Sequence, residues 1–257
     1  MNTKSERQRY DKVSAVVEKL SLRPSDERAF WRNESGRVFV NIQDHVLTSD
    51  FLPVQETDSG DLLGHVAVLV DEIGRPGALD LDDLDDNLFV ATDRLIRALH
   101  TLNYFASVVD ASRLFLDVNH RFLASVADNH DRAFRHFIES LDLVPEYFVI
   151  QVLAEREIDL NTLAFAADNY RRNGFLTGLH SRNSLQSHSL IGQIRPDFLS
   201  LWYKKEWPMS DLHSIATAAN KFRVRLIARN VNDQSLIFGL RQAGVTIFQT
   251  ENLSEHL

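Results

Sequence analysis

The sequence contains no cysteine among its 257 residues. Disulfides, thiolate zinc sites, iron–sulfur clusters and cysteine nucleophiles are therefore excluded. Long apolar runs are missing as well: none approaches the roughly 18 residues of a membrane span, and the first residues lack the apolar core of a secretory signal. We therefore expect a cytoplasmic protein that does not bind a membrane.

Basic residues are fewer than acidic residues. The chain has 28 Lys and Arg residues against 36 Asp and Glu residues, which gives a formal net charge of −8. This surplus favours solubility and opposes non-specific binding to phosphate backbones, so we expect no nucleic-acid partner. The sequence also lacks a Gly-x-Ser-x-Gly elbow, a Walker loop and a dinucleotide-binding glycine motif. The sequence therefore disfavours the hydrolases, nucleotide-binding enzymes and dinucleotide-dependent enzymes that these three motifs identify.

From about residue 113 onward, short apolar runs alternate with longer amphipathic stretches, which is the pattern of βα units around a parallel sheet. The runs are continuous rather than alternating, as expected for strands covered on both faces. The predicted strands are 114–118, 148–153, 175–179, 198–202, 224–228 and 245–248. The predicted helices are 87–103, 121–141, 160–173, 184–193, 210–221 and 233–243. Asp159 and Ser210 are placed as N-caps, and Gly174 and Gly244 as helix-ending glycines.

The N-terminal part is less regular. Residues 11–22 form an amphipathic pattern typical of a short helix, and polar loop material follows through Gly36. Strand patterns at 51–55 and 62–70 flank a turn-rich hexapeptide, which indicates a hairpin. Two strands plus six make eight. We therefore predict an α/β protein, a (β/α)8 TIM-like barrel with an antiparallel first strand, formed as one unit by residues 46–257 after a helical and loop extension at 1–45.

Four segments resemble one family. Residues 114–119 (LFLDVN), 143–152 (LVPEYFVIQV), 173–181 (NGFLTGLHS) and 195–202 (RPDFLSLW) are similar to motif-bearing strands of the EAL domain of cyclic-di-GMP phosphodiesterases. The resemblance covers about residues 50–250 and also includes the order of a hairpin followed by six βα units. It implies an EAL-type barrel and, for intact members, hydrolysis of cyclic-di-GMP with divalent metal ions.

The positions that carry activity in that family are replaced in this chain. By the resemblance, the signature Glu falls on Val66, and the Arg that closes its motif falls on Val70. The metal-binding Asn is replaced by Asp117, the Glu of the next strand by Gln151, and the aspartate pair by His180 and Ser181. The catalytic Lys is replaced by Ser200, the Asp that follows it by Trp202, and the two glutamates of a later motif by Arg229 and Asn232. The resemblance therefore implies a degenerate EAL domain with no catalytic residue, no metal ligand set and no cofactor.

Physical chemistry reaches the same expectation. Barrels of this kind place their active sites at the carboxyl ends of the strands. Phosphodiester hydrolysis with two divalent ions needs several carboxylate ligands converging there. The predicted rim offers one such carboxylate, Asp117, and Arg229 adds a positive charge beside it. We therefore expect the chain not to be an enzyme.

An acidic run invites a calcium interpretation. It comprises Asp80, Asp82, Asp83, Asp85 and Asp86, but Leu84 occupies a ligand position and the glycine of an EF-hand loop is absent. We interpret the run as a solvated lead into the helix predicted from Asn87, where negative charge suits the helix dipole.

Three functions follow as alternatives. The first is an inactive regulatory module that acts by protein–protein interaction, as inactive EAL domains do in bacterial motility, biofilm and surface-structure programmes. Its partner surface is expected at Trp202, Tyr203, Trp207, His180 and Arg182. The partner is not identified, and because family members often pair through this region, a homodimer also stays open.

The second alternative is a cyclic-di-GMP receptor that does not hydrolyse the nucleotide. Val66 and Val70 remove two expected contacts, although Arg229 or Arg182 could hold a phosphate. Binding is therefore doubtful on sequence grounds. The third is a repurposed enzyme using His180, Ser181 and Asp117, which is disfavoured because neighbouring residues on a strand point to opposite sides.

Overall fold

The computed structural model describes residues 11–13, 15–16, 30–77, 79, 81, 84–107, 112–119, 130–153, 159–202, 207–229, 231 and 234–249. Within these residues the strands are β1 (Phe30–Arg32), β2 (Val38–Ile42), β3 (His45–Glu56), β4 (Leu62–Asp71), β5 (Arg113–Val118), β6 (Phe148–Leu153), β7 (Leu176–Ser181), β8 (Phe198–Trp202), β9 (Arg225–Arg229) and β10 (Ile247–Gln249). The helices are α1 (Asp86–Ser107), α2 (His130–Ser140), α3 (Leu160–Arg172), α4 (Ser184–Gln193), α5 (Met209–Phe222) and α6 (Gln234–Gln242).

Eight of these strands close into a barrel. β3 pairs antiparallel with β4 on one side and with β10 on the other. From β4 to β10, each strand pairs in parallel with the next one along the chain. The predicted (β/α)8 barrel with an antiparallel first strand is thereby confirmed.

Two apolar layers hold the barrel together. Its interior is filled by the cluster Val54, Val66, Phe115, Val149, Phe198, Ile227 and Ile247. A larger cluster lies between the sheet and the surrounding helices, where residues such as Leu114, Leu199 and Leu212 are buried. Both faces of the parallel strands are therefore covered, which explains why these strands read as continuous apolar runs in the sequence.

The segment before residue 46 contains two strands that the sequence prediction missed. Residues 11–13 and 15–16 are helical as predicted, but the loop expected through Gly36 includes β1, and β2 follows it. β2 pairs antiparallel with both β1 and the first residues of β3, so the sheet continues outside the barrel. The description of 1–45 as only helix and loop is therefore wrong, because the buried Val38 and Val40 form a strand that packs against α1.

A buried polar network fixes β2 and the longer-than-predicted β3 against α1. Asn103 accepts the backbone N–H of Val38 over 2.8 Å and donates to the carbonyl of the same residue over 2.9 Å. On β3, Thr48 donates to the Val38 carbonyl over 2.7 Å, and Ser49 bonds to His100 over 2.8 Å. These polar residues interrupt the apolar pattern and explain why the strand was predicted only from residue 51.

The helix ends follow local chemistry with one exception. Asp159 caps α3 by accepting the N–H of Thr162, and Gly174 and Gly244 have φ values of +86° and +94°, as predicted for helix-ending glycines. The prediction of Ser210 as an N-cap is wrong. α5 begins at Met209, and Pro208 occupies the N-cap position without a side-chain hydrogen bond.

The start of α1 bears on the acidic run. Asp85 accepts the N–H groups of Asn87 and Leu88 over 2.9 Å and 3.0 Å, which confirms its role as a lead into this helix. Asp80, Asp82 and Asp83 lie outside the described residues. None of the described helices combines the length and apolar character needed to cross a bilayer.

Candidate functional site

The ends of neighbouring parallel strands bring the predicted site residues together. Asp117 near the end of β5 pairs with Gln151 on β6, and His180 lies near the end of β7. Farther round the barrel, Trp202 at the end of β8 pairs with Arg229 at the end of β9. The side chains meet over the barrel mouth, as expected for a (β/α)8 rim.

Asp117 is the common acceptor of this cluster. Its Oδ1 accepts from Nε2 of Gln151 over 2.9 Å and from Nε2 of His180 over 3.0 Å. Its Oδ2 accepts from Nη1 of Arg229 over 3.2 Å. One carboxylate therefore ties β5 to three other strands, while 48% of its side chain stays exposed.

The partners of His180 define its tautomer. Nε2 faces the carboxylate of Asp117 and therefore carries the proton, whereas Nδ1 receives the indole N–H of Trp202 over 3.0 Å. An indole N–H can only donate, so Nδ1 has to be an acceptor. Burial lowers the pKa of His180; Asp117 opposes this in part, and the nearby Arg229 cation lowers it further. His180 is thus a neutral imidazole at pH 7.

Arg229 is a nearly buried cation, with 3% of its surface exposed. Its Nη1 lies 3.2 Å from Asp117 Oδ2 and 3.1 Å from His180 Nδ1, and its Nε finds no hydrogen-bond partner in the structure. Crowding by protein atoms would by itself raise the pKa of Asp117, but attraction to Arg229 and the hydrogen bonds from both neighbours hold it well below its usual range. Arg229 and Asp117 therefore form a permanent ion pair at neutral pH.

Below this ion pair lies a second polar layer. Ser200 donates its hydroxyl to Oε1 of Gln151 over 2.9 Å, so both ends of the Gln151 amide are bonded. A Cβ atom on Gly178 of β7 would lie 2.6 Å from Cγ of Gln151. Gly178 is therefore required to leave room for Gln151, a role that sequence reasoning missed. A lone glycine inside a strand is the signal that could have found it.

The lip of the mouth is formed by an exposed indole. Trp202 is 37% exposed, and the guanidinium of Arg182 lies 5.9 Å from its ring centroid. The guanidinium of Arg229 lies 5.8 Å from the centroid of the same ring, so two cations lie within about 6 Å of the indole. This lip is the part of the predicted partner surface that the structure describes as accessible.

Two members of that predicted surface have other environments. His180 does not belong to it, because only 2% of its surface is exposed and its ring points into the barrel mouth. Trp207 is half-buried and packs against the core between sheet and helices. Tyr203 lies outside the described residues.

The remaining replaced positions do not join the cluster. Val66 fills the barrel interior and Val70 is buried at the end of β4. Ser181 donates to the carbonyl of Asn183 over 3.0 Å and accepts from Ser187, so it faces α4 rather than His180. Asn232 lies outside the described residues.

The arrangement does not fit a divalent metal centre. Among the described residues, no three His, Asp or Glu side chains lie together as ligands. Asp117, the carboxylate that the described residues bring to the mouth, is already neutralised by Arg229. Chemically, the cluster can hold a cation–carboxylate pair in a fixed geometry and present Trp202 and Arg182 to a ligand.

Solved structures share this architecture. BlrP1 of Klebsiella pneumoniae in complex with calcium and cyclic-di-GMP has a TM-score of 0.69 and 13% identity, over 80% of this chain and 54% of that one. A standalone EAL protein from Vibrio cholerae O395 in its c-di-GMP-bound form has a TM-score of 0.67 and 15% identity, over 81% of this chain and 91% of that one. This chain has the EAL-type barrel fold.

Another solved structure with an EAL domain has the same fold at similarly low sequence identity. The YkuI protein of Bacillus subtilis, with an EAL domain, gives a TM-score of 0.65 at 16% identity, over 81% of this chain and 55% of that one. BlrP1 was also solved with FMN and cyclic-di-GMP and no metal ions. This chain spans about half the length of BlrP1 and YkuI. No family sequence model matches it, and no curated protein matches it by sequence. The comparisons therefore establish the EAL-type fold predicted from the sequence, and nothing about activity.

Proposed function

We propose that this chain is a non-catalytic EAL-type module that regulates a bacterial cyclic-di-GMP-linked process by contacting a partner protein. The observation that supports this most directly is the distance of 3.2 Å between Arg229 Nη1 and Asp117 Oδ2. It commits the one acidic side chain of the described mouth to an internal cation. An active phosphodiesterase would need that carboxylate, and several more, for metal ions.

Among the described residues of the mouth, no side chain is free to act as a general base, which supports the same proposal. His180 is neutral, but its lone pair on Nδ1 is taken by the indole of Trp202. Ser181 points away from it and has its own partners on α4. Gln151 and Ser200 bond to each other and do not titrate. The repurposed-enzyme alternative therefore loses its proposed catalytic trio.

The partner contact is proposed at the lip formed by Trp202 and Arg182. Tryptophan and arginine are the residues most enriched among energetically dominant interface contacts. Here the guanidinium of Arg182 lies 5.9 Å from the centroid of the Trp202 ring at the exposed edge of the mouth. Binding a partner requires only this exposed surface, so it does not depend on the charged residues that catalysis would need. The cytoplasm stays the predicted location.

A non-hydrolysing cyclic-di-GMP receptor is the second candidate. It is favoured by BlrP1, which holds cyclic-di-GMP in a structure without metal ions. In this chain Arg182 and Trp202 at the lip could offer a cation and an aromatic face to a phosphate and a base. This candidate and the partner contact use the same surface, and direct binding measurements separate them.

Three measurements test the proposal. Incubation with cyclic-di-GMP and Mg²⁺ or Mn²⁺ should release no linear product above the level of Asp117→Asn; hydrolysis that this substitution abolishes would overturn it. Calorimetry with cyclic-di-GMP alone should give no saturable heat, whereas saturable binding lost in Arg182→Glu would establish the receptor instead. Affinity capture from the native cytosol should retain a partner with the wild-type chain and lose it with Arg182→Glu. Arg132→Glu, an equivalent charge reversal at an exposed position of α2, is the matched control.

A further inference from the structure

The hairpin formed by β1 and β2 carries an arginine on each side of its turn. Arg32 is the last residue of β1, and Arg37 directly precedes β2. Both side chains line one cavity of about 340 Å³, which the hairpin forms together with β3 and the end of α1. The described residues around this cavity include none of the side chains that meet at the barrel mouth. The cavity is therefore a separate candidate site.

The guanidinium of Arg37 is held in place by β3. Its Nε donates to Oγ1 of Thr48 over 3.1 Å, and its Nη2 donates to the carbonyl of Ser49. Its Nη1 makes no hydrogen bond within the part of the chain that the structure describes. Since a guanidinium has five N–H donors in a planar fork, one edge of a fixed side chain stays open to a ligand.

Arg32 lies against the backbone of the same turn. Gly36 has a φ of +89°, and a Cβ atom there would lie 2.6 Å from Nη2 and 3.2 Å from Nε of Arg32. The glycine therefore forms the turn and also leaves room for the guanidinium. Arg32 forms no hydrogen bond or ion pair with any described residue. Two arginines thus line one cavity without an ion pair to the described residues, in a chain whose net charge is −8.

The negative groups around this cavity do not cancel the two cations. Asp50 lines the cavity, but it is exposed to water, which screens its charge, and its Oδ1 accepts the N–H of Phe51 over 2.9 Å. The end of α1 also borders the cavity, and its Asn103 carbonyl already accepts the hydroxyl of Ser107 over 2.6 Å. The cavity therefore keeps a net positive charge that suits an anion.

An aromatic ring supplies an apolar wall. Phe51 is partly buried, and its ring packs edge-on against that of Tyr104 with 5.0 Å between the centroids. Tyr104 is fully buried, and its hydroxyl lies 2.6 Å from Oγ of Ser112, so the wall is fixed from behind. Sites for small organic ligands range from about 300 to 1,000 Å³. The cavity is therefore large enough for an anion that carries an organic group.

We propose that this cavity binds a soluble organic phosphate monoester, whose phosphate pairs with Arg32 and Arg37 and whose organic group contacts Phe51. A phosphate monoester has a charge of about −1.5 to −2 at pH 7, so it can use both cations, whereas a carboxylate would neutralise only one. Its oxygens also match the planar donor fork of arginine. The proposal concerns a different surface from the lip formed by Trp202 and Arg182, so each can fail without the other.

Calorimetry on the full chain tests the proposal, with phenyl phosphate and inorganic phosphate as probes. We expect saturable binding of phenyl phosphate with a Kd below about 1 mM, and binding of inorganic phosphate that is at least about tenfold weaker. Arg32→Gln should weaken phenyl phosphate binding at least about tenfold, and Asp50→Asn should strengthen it, because the two substitutions change the charge of the cavity in opposite directions. Arg172→Gln removes the same charge from an exposed position of α3 and is the matched control.

The possible results separate clearly. The proposal is overturned if phenyl phosphate gives no saturable heat up to about 10 mM, if Arg32→Gln binds as tightly as wild type, or if Arg172→Gln weakens binding equally. Equal affinities for the two probes would overturn it as well. Sedimentation with vesicles that contain phosphatidic acid should leave the chain in solution; vesicle binding lost in Arg32→Gln would assign the site to a lipid headgroup instead. Near-ultraviolet circular dichroism checks the fold of each variant, and if Arg32→Gln does not fold, Asp50→Asn decides alone.

Discussion

Trp202 donates its indole N–H to Nδ1 of His180 over 3.0 Å, from the strand next to the one that carries the histidine. Because the indole cannot accept, this bond is compatible only with an unprotonated Nδ1. Protonation of His180 would place a second cation beside Arg229 and break the bond to Trp202. The exposed lip of the barrel and the charge state of its interior are thus linked through one hydrogen bond.

Replacing Trp202 with Phe should raise the pKa of His180. The substitution keeps an aromatic ring but frees Nδ1 to take a proton, so one of the causes that favours the neutral form is removed. Nuclear magnetic resonance titration of the His180 ring protons measures the change. Trp207→Phe alters a half-buried tryptophan outside the network and should leave this pKa where it is. An unchanged pKa in Trp202→Phe would contradict the assigned tautomer.

Asp117 and Arg229 should be strongly coupled in stability. Asp117→Asn leaves a nearly buried guanidinium without its counter-charge. We expect a loss of about 1–2 kcal/mol, less than for a fully buried pair because the carboxylate is half exposed to water. The double variant Asp117→Asn/Arg229→Gln should lose less than the sum of the two single variants. Urea unfolding of all four proteins measures the coupling, and strict additivity would show that the pair does not act as a unit.

Gly178→Ala should loosen the second polar layer. The new Cβ would lie 2.6 Å from Gln151 Cγ, and Gln151 would have to leave Asp117 or Ser200. Such overpacking costs about 1–3 kcal/mol. Gly192→Ala is the control, because a Cβ there meets nothing within 4 Å and a helical alanine should stabilise the chain by about 0.5–1 kcal/mol. Thermal unfolding of both variants shows whether the signs are opposite as expected.

Acid should destabilise the fold below about pH 6.5. Burial lowers the pKa of His100 to about 4 in the folded chain, with a small opposing pull from Asp117. In the unfolded chain this histidine takes up a proton near pH 6.5, so its contribution is complete above that pH and is lost as the pH falls towards 4. The expected loss is about 3 kcal/mol for His100 between those limits. His180, whose pKa burial also lowers, adds a loss of the same sign.

Denaturant unfolding at pH 7, 5.5 and 4.5 checks this prediction. His100→Gln removes the titrating ring and should flatten the pH profile, although it also disturbs the bond to Ser49 and lowers stability at pH 7. Equal slopes for wild type and His100→Gln would contradict the assignment.

The barrel and its rim could be predicted from the sequence because both depend on simple periodicities. Parallel strands covered on two faces are continuous apolar runs, and their carboxyl ends must meet at one rim. The structure therefore brings together Asp117, His180 and Arg229, each of which was predicted to lie at a strand end. The placement of Ser181 on the opposite side from His180 followed from the same alternation.

The parts that escaped prediction depend on contacts between residues distant in the chain. β3 is longer than its apolar pattern because Ser49 is buried through a bond to His100, 51 residues away. The burial of His180 follows from the indole of Trp202 lying against it, which composition and spacing do not reveal. Ser210 failed as a cap because Pro208 starts the helix earlier with a fixed φ. In each case tertiary packing outweighed a local preference.

The two hydrogen bonds between Asn103 and Val38 limit how far the chain can be shortened from its N-terminal side without loss of stability. Cutting before residue 46 would remove β2 and leave the buried amide of Asn103 without its backbone partners, along with the Thr48 hydroxyl that also bonds to Val38. An unpaired buried polar group costs about 1–3 kcal/mol, a large share of the stability of an ordinary domain. A fragment of residues 46–257 should therefore express poorly and unfold early. A recombinant or fusion protein designed to retain the barrel's stability should begin before Phe30.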